Sequence, residues 1–317
     1  MNEHANPAAP VQKTFREKVY DVYLKFYCFM RYKVLFPPVT NGKTLRRMEQ
    51  NREAYRGIEG FDAMCDFLRA HRRERPCTAW AYPWARQIMD EAHVPVYTDD
   101  AGQKYVLCGE KRMYFPASMS EQEIAEYYAS VQLVEQDARS PHCYLDGDFD
   151  VPRDAVVADL GVAEGNFALT VVDRVKKLYL FEPTPAWVAC LHRTFAPWPD
   201  KVVFVPKFIG AKTEGDFVTY DDYFGAMPES ERPDFIKADI EGAEMDFLRG
   251  AQKCLTAQPH ARVAIALYHR PEDPVQIPAQ LREYGFTGTP VPGYRLMYMW
   301  KQHPYFQSAM LRAHKGC

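Results

Sequence analysis

Val156-Val157-Ala158-Asp159-Leu160-Gly161-Val162-Ala163-Glu164-Gly165-Asn166-Phe167 decides the fold of this chain. A short apolar run ends at Asp-x-Gly and passes directly into a helical pattern, which reads as strand, glycine turn, helix. Beyond the predicted helix Phe167 to Val175, a second apolar run, Leu178-Tyr179-Leu180-Phe181, closes on Glu182 and Pro183. An acidic side chain about 20 residues past such a turn is where nucleotide-type folds hold the two hydroxyls of a ribose.

The turn argues against a dinucleotide. Pyrophosphate requires glycines spaced so that the backbone can approach the phosphates, and a helix N-terminus free to present its N–H groups to negative charge. Here the glycines stand as Gly161-x-x-x-Gly165, and Glu164 occupies the opening of the helix, where its carboxylate repels phosphate. The P-loop pattern G-x-x-x-x-G-K-[ST] occurs nowhere in the sequence. S-adenosylmethionine carries a sulfonium and an ammonium and no phosphate, and a turn containing Asp159 and Glu164 tolerates or attracts both. A tight turn with close helix packing would account for either glycine alone, but not for the whole array through Glu182.

From Asp154 onward strands and helices alternate. Val156 to Ala158, Leu178 to Phe181, Val202 to Val205, Phe235 to Ala238 and Val263 to Leu267 are short apolar runs, separated by helical patterns at Phe167 to Val175, Trp187 to Phe195, Ala243 to Gly250 and Val275 to Tyr284. That order predicts an α/β fold with a mostly parallel sheet covered by helices on both faces. Arg295 to Trp300 is expected as a late antiparallel strand closing the sheet. Upstream, the texture is helical at Lys13 to Leu35, Thr44 to His71 and Pro76 to Val94, after a Pro/Ala/Asn-rich start at Met1 to Pro10 expected to be disordered. Tyr97 to Phe115 reads as a small hairpin turning at Cys108-Gly109-Glu110. Ser120 and Glu123 form a capping box for a helix running to about Ala138. The expected division is an N-terminal helical region with the hairpin, residues 1–115, serving as lid, docking or oligomerisation element, and a second domain over residues 116–317.

Asp159-Leu160-Gly161, Phe181-Glu182-Pro183 and Ile236-Lys237-Ala238-Asp239-Ile240-Glu241-Gly242-Ala243-Glu244, in this order and spacing, resemble the FkbM family of S-adenosylmethionine-dependent methyltransferases. The resemblance extends upstream to Glu135-Gln136 and Ser140-Pro141-His142-x-Tyr144 and downstream to Tyr268-His269, and covers Glu135 to Tyr284. The Gly293-Tyr294-Arg295 region departs from the family pattern, and Ala238 stands where members more often carry a larger apolar residue. The resemblance implies the class I methyltransferase (Rossmann-like) fold, with a mostly parallel seven-stranded sheet. It also implies a donor site across the carboxyl ends of the first strands. Asp159, Gly161 and Gly165 would line the methionine part of S-adenosylmethionine, with Glu164 beside them. Glu182, followed by Pro183, would hold the ribose diol, and Ile209, Gly210 and Ala211 would lie near the adenine. Asn166 and Phe167 flank that site; Phe167 reads better as core.

Methyl transfer to a hydroxyl requires an aligned nucleophile and a group to take its proton. Asp239 ends the fourth strand, Glu241-Gly242 follows it, and His269 follows the fifth, so all three are candidate catalytic residues. Asp239 could alternatively orient the donor ammonium, and His269 reads equally as a solvent-facing loop histidine. Glu244 reads as a first-turn carboxylate facing the helix dipole, and Glu272-Asp273 as a cap for the next helix. Asp239, Glu241 and Asp273 could hold a divalent metal, although no spacing demands one.

Composition narrows the function further. The 317 residues are 47% hydrophobic with net charge −3, which offers no general electrostatic case for nucleic acid. Eight cysteines lack any C-x-x-C spacing, which together with the lack of a signal-peptide pattern points to reduced thiols and a cytoplasmic protein. Residues 13–36 are aromatic but interrupted by charge, so they form no transmembrane helix; they suit a membrane surface, the chain's own domain or a second subunit of a homodimer. The expected activity is O-methylation of a hydroxyl on a sugar, glycan or secondary metabolite. Competing readings are aminopropyl transfer of the polyamine-synthase type, a NAD-dependent oxidoreductase, and a non-catalytic module binding the cofactor or a partner.

Overall fold

Gly57 and Gly60 divide what the apolar pattern presents as a single helix. Helix α1 (Asn41–Gln50) and helix α2 (Phe61–Ala70) replace the expected Thr44 to His71 element, because both glycines adopt positive φ, +76° and +81°, which a right-handed helix does not accommodate. The computed structural model describes residues 41–57, 60–73, 80–296 and 306–316. The expected helix Lys13 to Leu35, the Met1 to Pro10 segment, residues 76–79 and residues 297–300 lie outside these. Helix α3 (Pro83–Glu91) starts on a proline, whose missing N–H costs nothing in a first turn.

The expected hairpin forms as β2 (Lys104–Cys108) against β3 (Lys111–Tyr114), with β1 (Tyr97–Thr98) added at its side. Helix α4 (Glu121–Tyr128) begins at the predicted capping box, with both reciprocal Ser120–Glu123 bonds made, and continues as a π-helical turn over Ala129–Val134.

The principal sheet then builds from β4 (Val156–Leu160), β5 (Lys177–Phe181), β6 (Val202–Val205), β9 (Phe235–Ala238), β10 (Ala261–Ala266), β11 (Thr287–Pro290) and β14 (Met310–Lys315). Its order is β11-β14-β10-β9-β4-β5-β6. The run from β6 to β10 is parallel, and β14 is antiparallel to both neighbours. This is the class I methyltransferase architecture expected above. Between the strands lie α5 (Asn166–Val171), α6 (Pro185–Thr194), the short parallel pair β7 (Phe208–Ile209) and β8 (Phe217–Val218), α7 (Tyr220–Phe224), α8 (Glu244–Gly250), α9 (Gln252–Ala257) and α10 (Asp273–Glu283). Strand alternation sends Val157, Leu178, Phe235 and Ala264 into one core and Val156, Ala158, Tyr179, Ile236 and Val263 into another. Both faces are therefore covered, at about 1.5–3 kcal/mol for each large side chain removed from water.

The closing strand is a correction. Arg295–Leu296 forms β12, which pairs with β13 (Phe306–Gln307) outside the main sheet. Met310–Lys315 closes the sheet in its place. Its polar residues hide it from an apolar-run reading, yet Met310, Leu311 and Ala313 are buried against β10. The edge strand Thr287–Pro290 is exposed throughout and carries no apolar signal. Its Gly288 is required by proximity, since a Cβ there would fall 2.4 Å from the Arg312 carbonyl oxygen.

Trp80, Val106, Met113 and Phe115 belong to a core shared with the sheet, whereas α1, α2, Ala81 and Leu296 form a separate cluster. Tyr114 N–H donates to Thr194 of α6 at 3.1 Å, which fastens the hairpin to the sheet's helical layer. Among the described residues no helix is long and apolar enough to cross a membrane. Cys65, Cys108, Cys143, Cys190 and Cys254 are unpaired.

Candidate active site

Strand register brings the first charged pair together. Asp159 on β4 stands opposite Lys237 on β9, and Lys237 Nζ lies 3.1 Å from Asp159 Oδ1 and 2.6 Å from the Gly161 carbonyl oxygen. Both residues are buried. Burial opposes the ammonium, but Asp159 and Asp239 outweigh it and hold the Lys237 pKa above its ordinary value. The Asp159 carboxylate is thus engaged inside the sheet by a lysine whose placement in an otherwise apolar strand was the visible signal.

The glycine turn packs onto the next strand end. Gly161 has φ +75°, and a Cβ there would fall 2.2 Å from the Asp239 carbonyl oxygen. Gly165 also has positive φ, +86°, beneath Leu191 and Phe195. Glu164, between them, accepts the Tyr127 hydroxyl at 2.8 Å, and burial raises its pKa to about 7. Tyr127 lies beside Trp187 and Phe115, with ring centroids 6.0 and 6.2 Å away.

Glu182 is tied on both oxygens: Oε2 accepts Ala163 N–H at 3.0 Å and Oε1 accepts Thr184 N–H at 2.8 Å across Pro183. A carboxylate has about four lone-pair positions, so acceptor capacity remains. Asn166 donates to the Val131 carbonyl at 3.1 Å, a polar contact at a helix start, and Phe167 stacks on Phe235 in the core. Gly210 and Ala211 follow β7, where a Cβ on Gly210 would fall 3.1 Å from the Phe217 ring.

Beyond Lys237 the chain reverses through Glu241 and Gly242, with φ +55° and +96°. Asp239 becomes the centre of a network: it accepts the Tyr144 hydroxyl at 3.0 Å and the Tyr268 hydroxyl at 2.9 Å. His142 Nε2 lies 3.2 Å from its Oδ2 and His269 Nε2 lies 3.5 Å from its Oδ1. Burial pushes the Asp239 pKa up, yet His142, His269 and Lys237 outweigh burial and hold it well below the usual range. His269 Nε2 also lies 3.7 Å from Glu241 Oε2, while its Nδ1 lies 2.7 Å from Glu244 Oε1. Glu244 is therefore more than a first-turn carboxylate. It also accepts Ile240 N–H at 3.0 Å, holding the reversed loop and the imidazole together. Burial lowers the His269 pKa, but the Glu244 hydrogen bond and the Asp239 charge prevail and raise it.

Asp273, expected as a possible ligand with Asp239 and Glu241, instead accepts Arg270 N–H at 2.7 Å, and burial raises its pKa to about 6. Among the described residues the three that converge at metal-binding separation are Asp239, Glu244 and His269. Arg295 closes the far side: its guanidinium lies 3.9 Å over Tyr268 and 5.1 Å over Trp80, and 3.7 Å from Glu135. Glu135, His142, Tyr144 and Tyr268 stood in the sequence resemblance without a role, and Arg295 in a segment that departs from it.

Residues 205–287 match the family model described as the methyltransferase FkbM domain. That stretch of the chain is similar to an FkbM methyltransferase domain. The match spans β6 to the start of β11, including the reversed loop and His269. Among solved structures, the chain is similar to the methyltransferase FkbM from Methylobacillus flagellatus KT, at 17% identity and TM-score 0.44, over 60% of this chain and 52% of that one. It thus spans about half the length of that methyltransferase. The precorrin-6y C5,15-methyltransferase from Geobacter metallireducens GS-15 is similar at 10% identity and TM-score 0.35, over 53% and 82% of the two chains. The magnesium protoporphyrin IX methyltransferase from Synechocystis PCC 6803, solved with bound SAM, is similar at 12% identity and TM-score 0.33, over 52% and 71%. No curated protein matches the chain.

Proposed function

We propose that this protein transfers a methyl group from S-adenosylmethionine to a hydroxyl of a sugar, glycan or secondary metabolite. One observation carries the reading: the glycine turn touches the acid–histidine cluster, since a Cβ on Gly161 would fall 2.2 Å from the Asp239 carbonyl oxygen. A donor on that turn and an acceptor at His269 would meet across one van der Waals contact. The residues fit the donor. Glu182 offers lone pairs to a diol, and the buried Glu164 offers a carboxylate to a cation and none of the amide cradle a pyrophosphate needs.

When bound, S-adenosylmethionine supplies an electrophilic methyl group on a sulfonium. The chain must orient the acceptor, exclude water and receive one proton. His269 Nε2 and Glu241 Oε2, 3.7 Å apart, are the two acceptors of that proton. Asp239, saturated with donors and held ionised, keeps negative charge beside an imidazolium. Trp80, Tyr268 and Arg295, whose guanidinium lies over both rings, would form the acceptor-side wall, and residues 1–115 would serve as a lid, docking or oligomerisation element. Calorimetry with S-adenosylhomocysteine and with NAD tests the reading. Binding of the first alone is expected; binding of NAD alone would overturn it.

A further inference from the structure

Charge is distributed unevenly along the chain. Residues 1–75 hold 15 Lys and Arg against 9 Asp and Glu, or +6, and the remainder holds 24 against 33, or −9. In the described part of the basic region the charge gathers at one end of the α1–α2 pair. Gly42 N–H donates to the Arg72 carbonyl oxygen at 2.9 Å, and Asn41 Nδ2 donates to the His71 carbonyl oxygen at 3.2 Å, so the start of α1 lies against the end of α2. Lys43, Arg46 and Arg47 lie in the first two turns of α1, and Arg69, Arg72 and Arg73 at the end of α2 and just beyond it. Asn41, Thr44, Leu45 and Met48 take the buried face of α1, which leaves Lys43 and Arg46 exposed. Arg46 stands one turn from Gly42, whose Cβ would fall 3.4 Å from the Arg72 Cβ, so Arg46 and Arg72 share one side of the pair. Arg69 engages both Glu49 and Asp66, at 2.8 and 2.5 Å. Among the described residues no carboxylate lies at ion-pair distance from Arg46, Arg72 or Arg73, all three exposed.

We propose that this end of the α1–α2 pair is a docking face for an anionic phospholipid surface. A plane of headgroups meets one side of a molecule, so the basic end would turn toward it and the acidic remainder away from it. A nucleic acid strand running across the protein would instead meet that acidic majority. The sequence leading into α1 has the composition of an interfacial segment: residues 13–36 carry eight Phe and Tyr, with six Lys and Arg against two Asp and Glu. At its other end the pair meets the acceptor side. A Cβ on Gly60 would fall 4.0 Å from the Tyr294 ring, Leu296 packs into the α1–α2 cluster, and Arg295 between them lies over Tyr268. Docking would hold the proposed acceptor side about one ten-residue helix, ~15 Å, from the lipid, within reach of a hydroxyl on a membrane-anchored acceptor. That purpose rests on the proposed methyl transfer, whereas the docking face can be measured without it.

The experiment floats the full chain with vesicles of phosphatidylcholine alone, and with about 30% phosphatidylglycerol added, in about 0.1 M and about 0.5 M salt. Binding to the anionic vesicles alone is expected, lost at the higher salt. Arg46→Gln, Arg72→Gln and Arg73→Gln together should weaken it by ~100-fold, at ~5-fold for each charge near an anionic surface. The corresponding three lysine substitutions should retain it. The same loss of charge at exposed positions elsewhere, Arg153→Gln, Lys176→Gln and Lys253→Gln, should leave it nearly unchanged. No binding to anionic vesicles at about 1 mM lipid, equal binding to both vesicle types, or equal losses in the two glutamine sets overturns the docking face. Tighter binding of a single-stranded RNA through the same three arginines overturns it as well. S-adenosylhomocysteine titrated into the same samples separates the two readings. Its binding without vesicle binding removes only the docking face, whereas vesicle binding as described without S-adenosylhomocysteine binding removes the methyltransferase reading.

Discussion

Nδ1 of His269 lies 2.7 Å from Oε1 of Glu244, a fully buried carboxylate that also receives the Ile240 N–H. One side chain thereby sets the ring orientation, the tautomer and the path of the loop carrying Glu241. The hydrogen bond raises the His269 pKa, so Glu244→Gln should lower it. An NMR titration of the His269 ring should show its midpoint moving toward lower pH in the variant. A midpoint that stays in place would mean that the pair does not couple.

The same pair gives stability a pH dependence. A histidine whose folded pKa exceeds its unfolded value near 6.5 stabilises the fold fully below that value and loses the contribution as pH rises through the folded pKa. Glu244→Gln should therefore cost more stability at pH 6 than at pH 9. Urea melts at both pH values test this, and equal losses would contradict it.

On the proposed reading His269→Ala should lower turnover by ~10²–10⁴-fold while leaving S-adenosylhomocysteine affinity nearly unchanged, because the imidazole would meet the acceptor and not the donor. Retained turnover would move the proton to Glu241. Single-turnover kinetics with any accepted hydroxyl compound distinguish the outcomes.

Glu182→Ala should weaken S-adenosylhomocysteine binding by about 1–3 kcal/mol. The substitution should also cost stability, because Ala163 N–H and Thr184 N–H both lose their acceptor. A stability loss of about 1–2 kcal/mol should accompany the affinity loss. Unchanged donor affinity would dissociate Glu182 from the ribose.

Glu164 provides a second pH signature. Burial raises its pKa from 4.5 to about 7, so its stabilising contribution is complete below pH 4.5 and lost as pH rises through 7. A cationic donor group beside it would favour the ionised form, release a proton and bind more tightly above pH 7. Calorimetry in buffers of different ionisation enthalpy should detect that proton at pH 6.5 and find it missing in Glu164→Gln.

The parallel strands, the glycine turn, Glu182 and the capping box were legible in the sequence because each is a local pattern of period or spacing. Met310–Lys315 was not, since its burial comes from lying between β10 and β11 and not from an apolar run. Asp239, Glu241 and His269 could be named from their place at strand ends, but their convergence depends on a loop with two consecutive positive φ values. Glu244 was discounted for a related reason: helix position alone does not reveal that a carboxylate turns back toward a neighbouring strand. Arg295 reaches the site through the pairing of β12 with β13, which no local apolar or turn pattern marks.

That hairpin joins two parts of the molecule. On β13, Gln307 donates to the carbonyls of Leu267 and Arg270 at 2.6 and 3.0 Å, on either side of His269. Beside β12, the Tyr82 hydroxyl bonds both the N–H and the carbonyl of Tyr294, and Leu296 packs into the cluster of α1 and α2. The cluster of α1 and α2 and the histidine loop are consequently linked through paired β12 and β13. Replacing α1 and α2 would therefore disturb the ribbon that holds the backbone on either side of His269, and on the proposed reading would alter acceptor preference and catalytic geometry together.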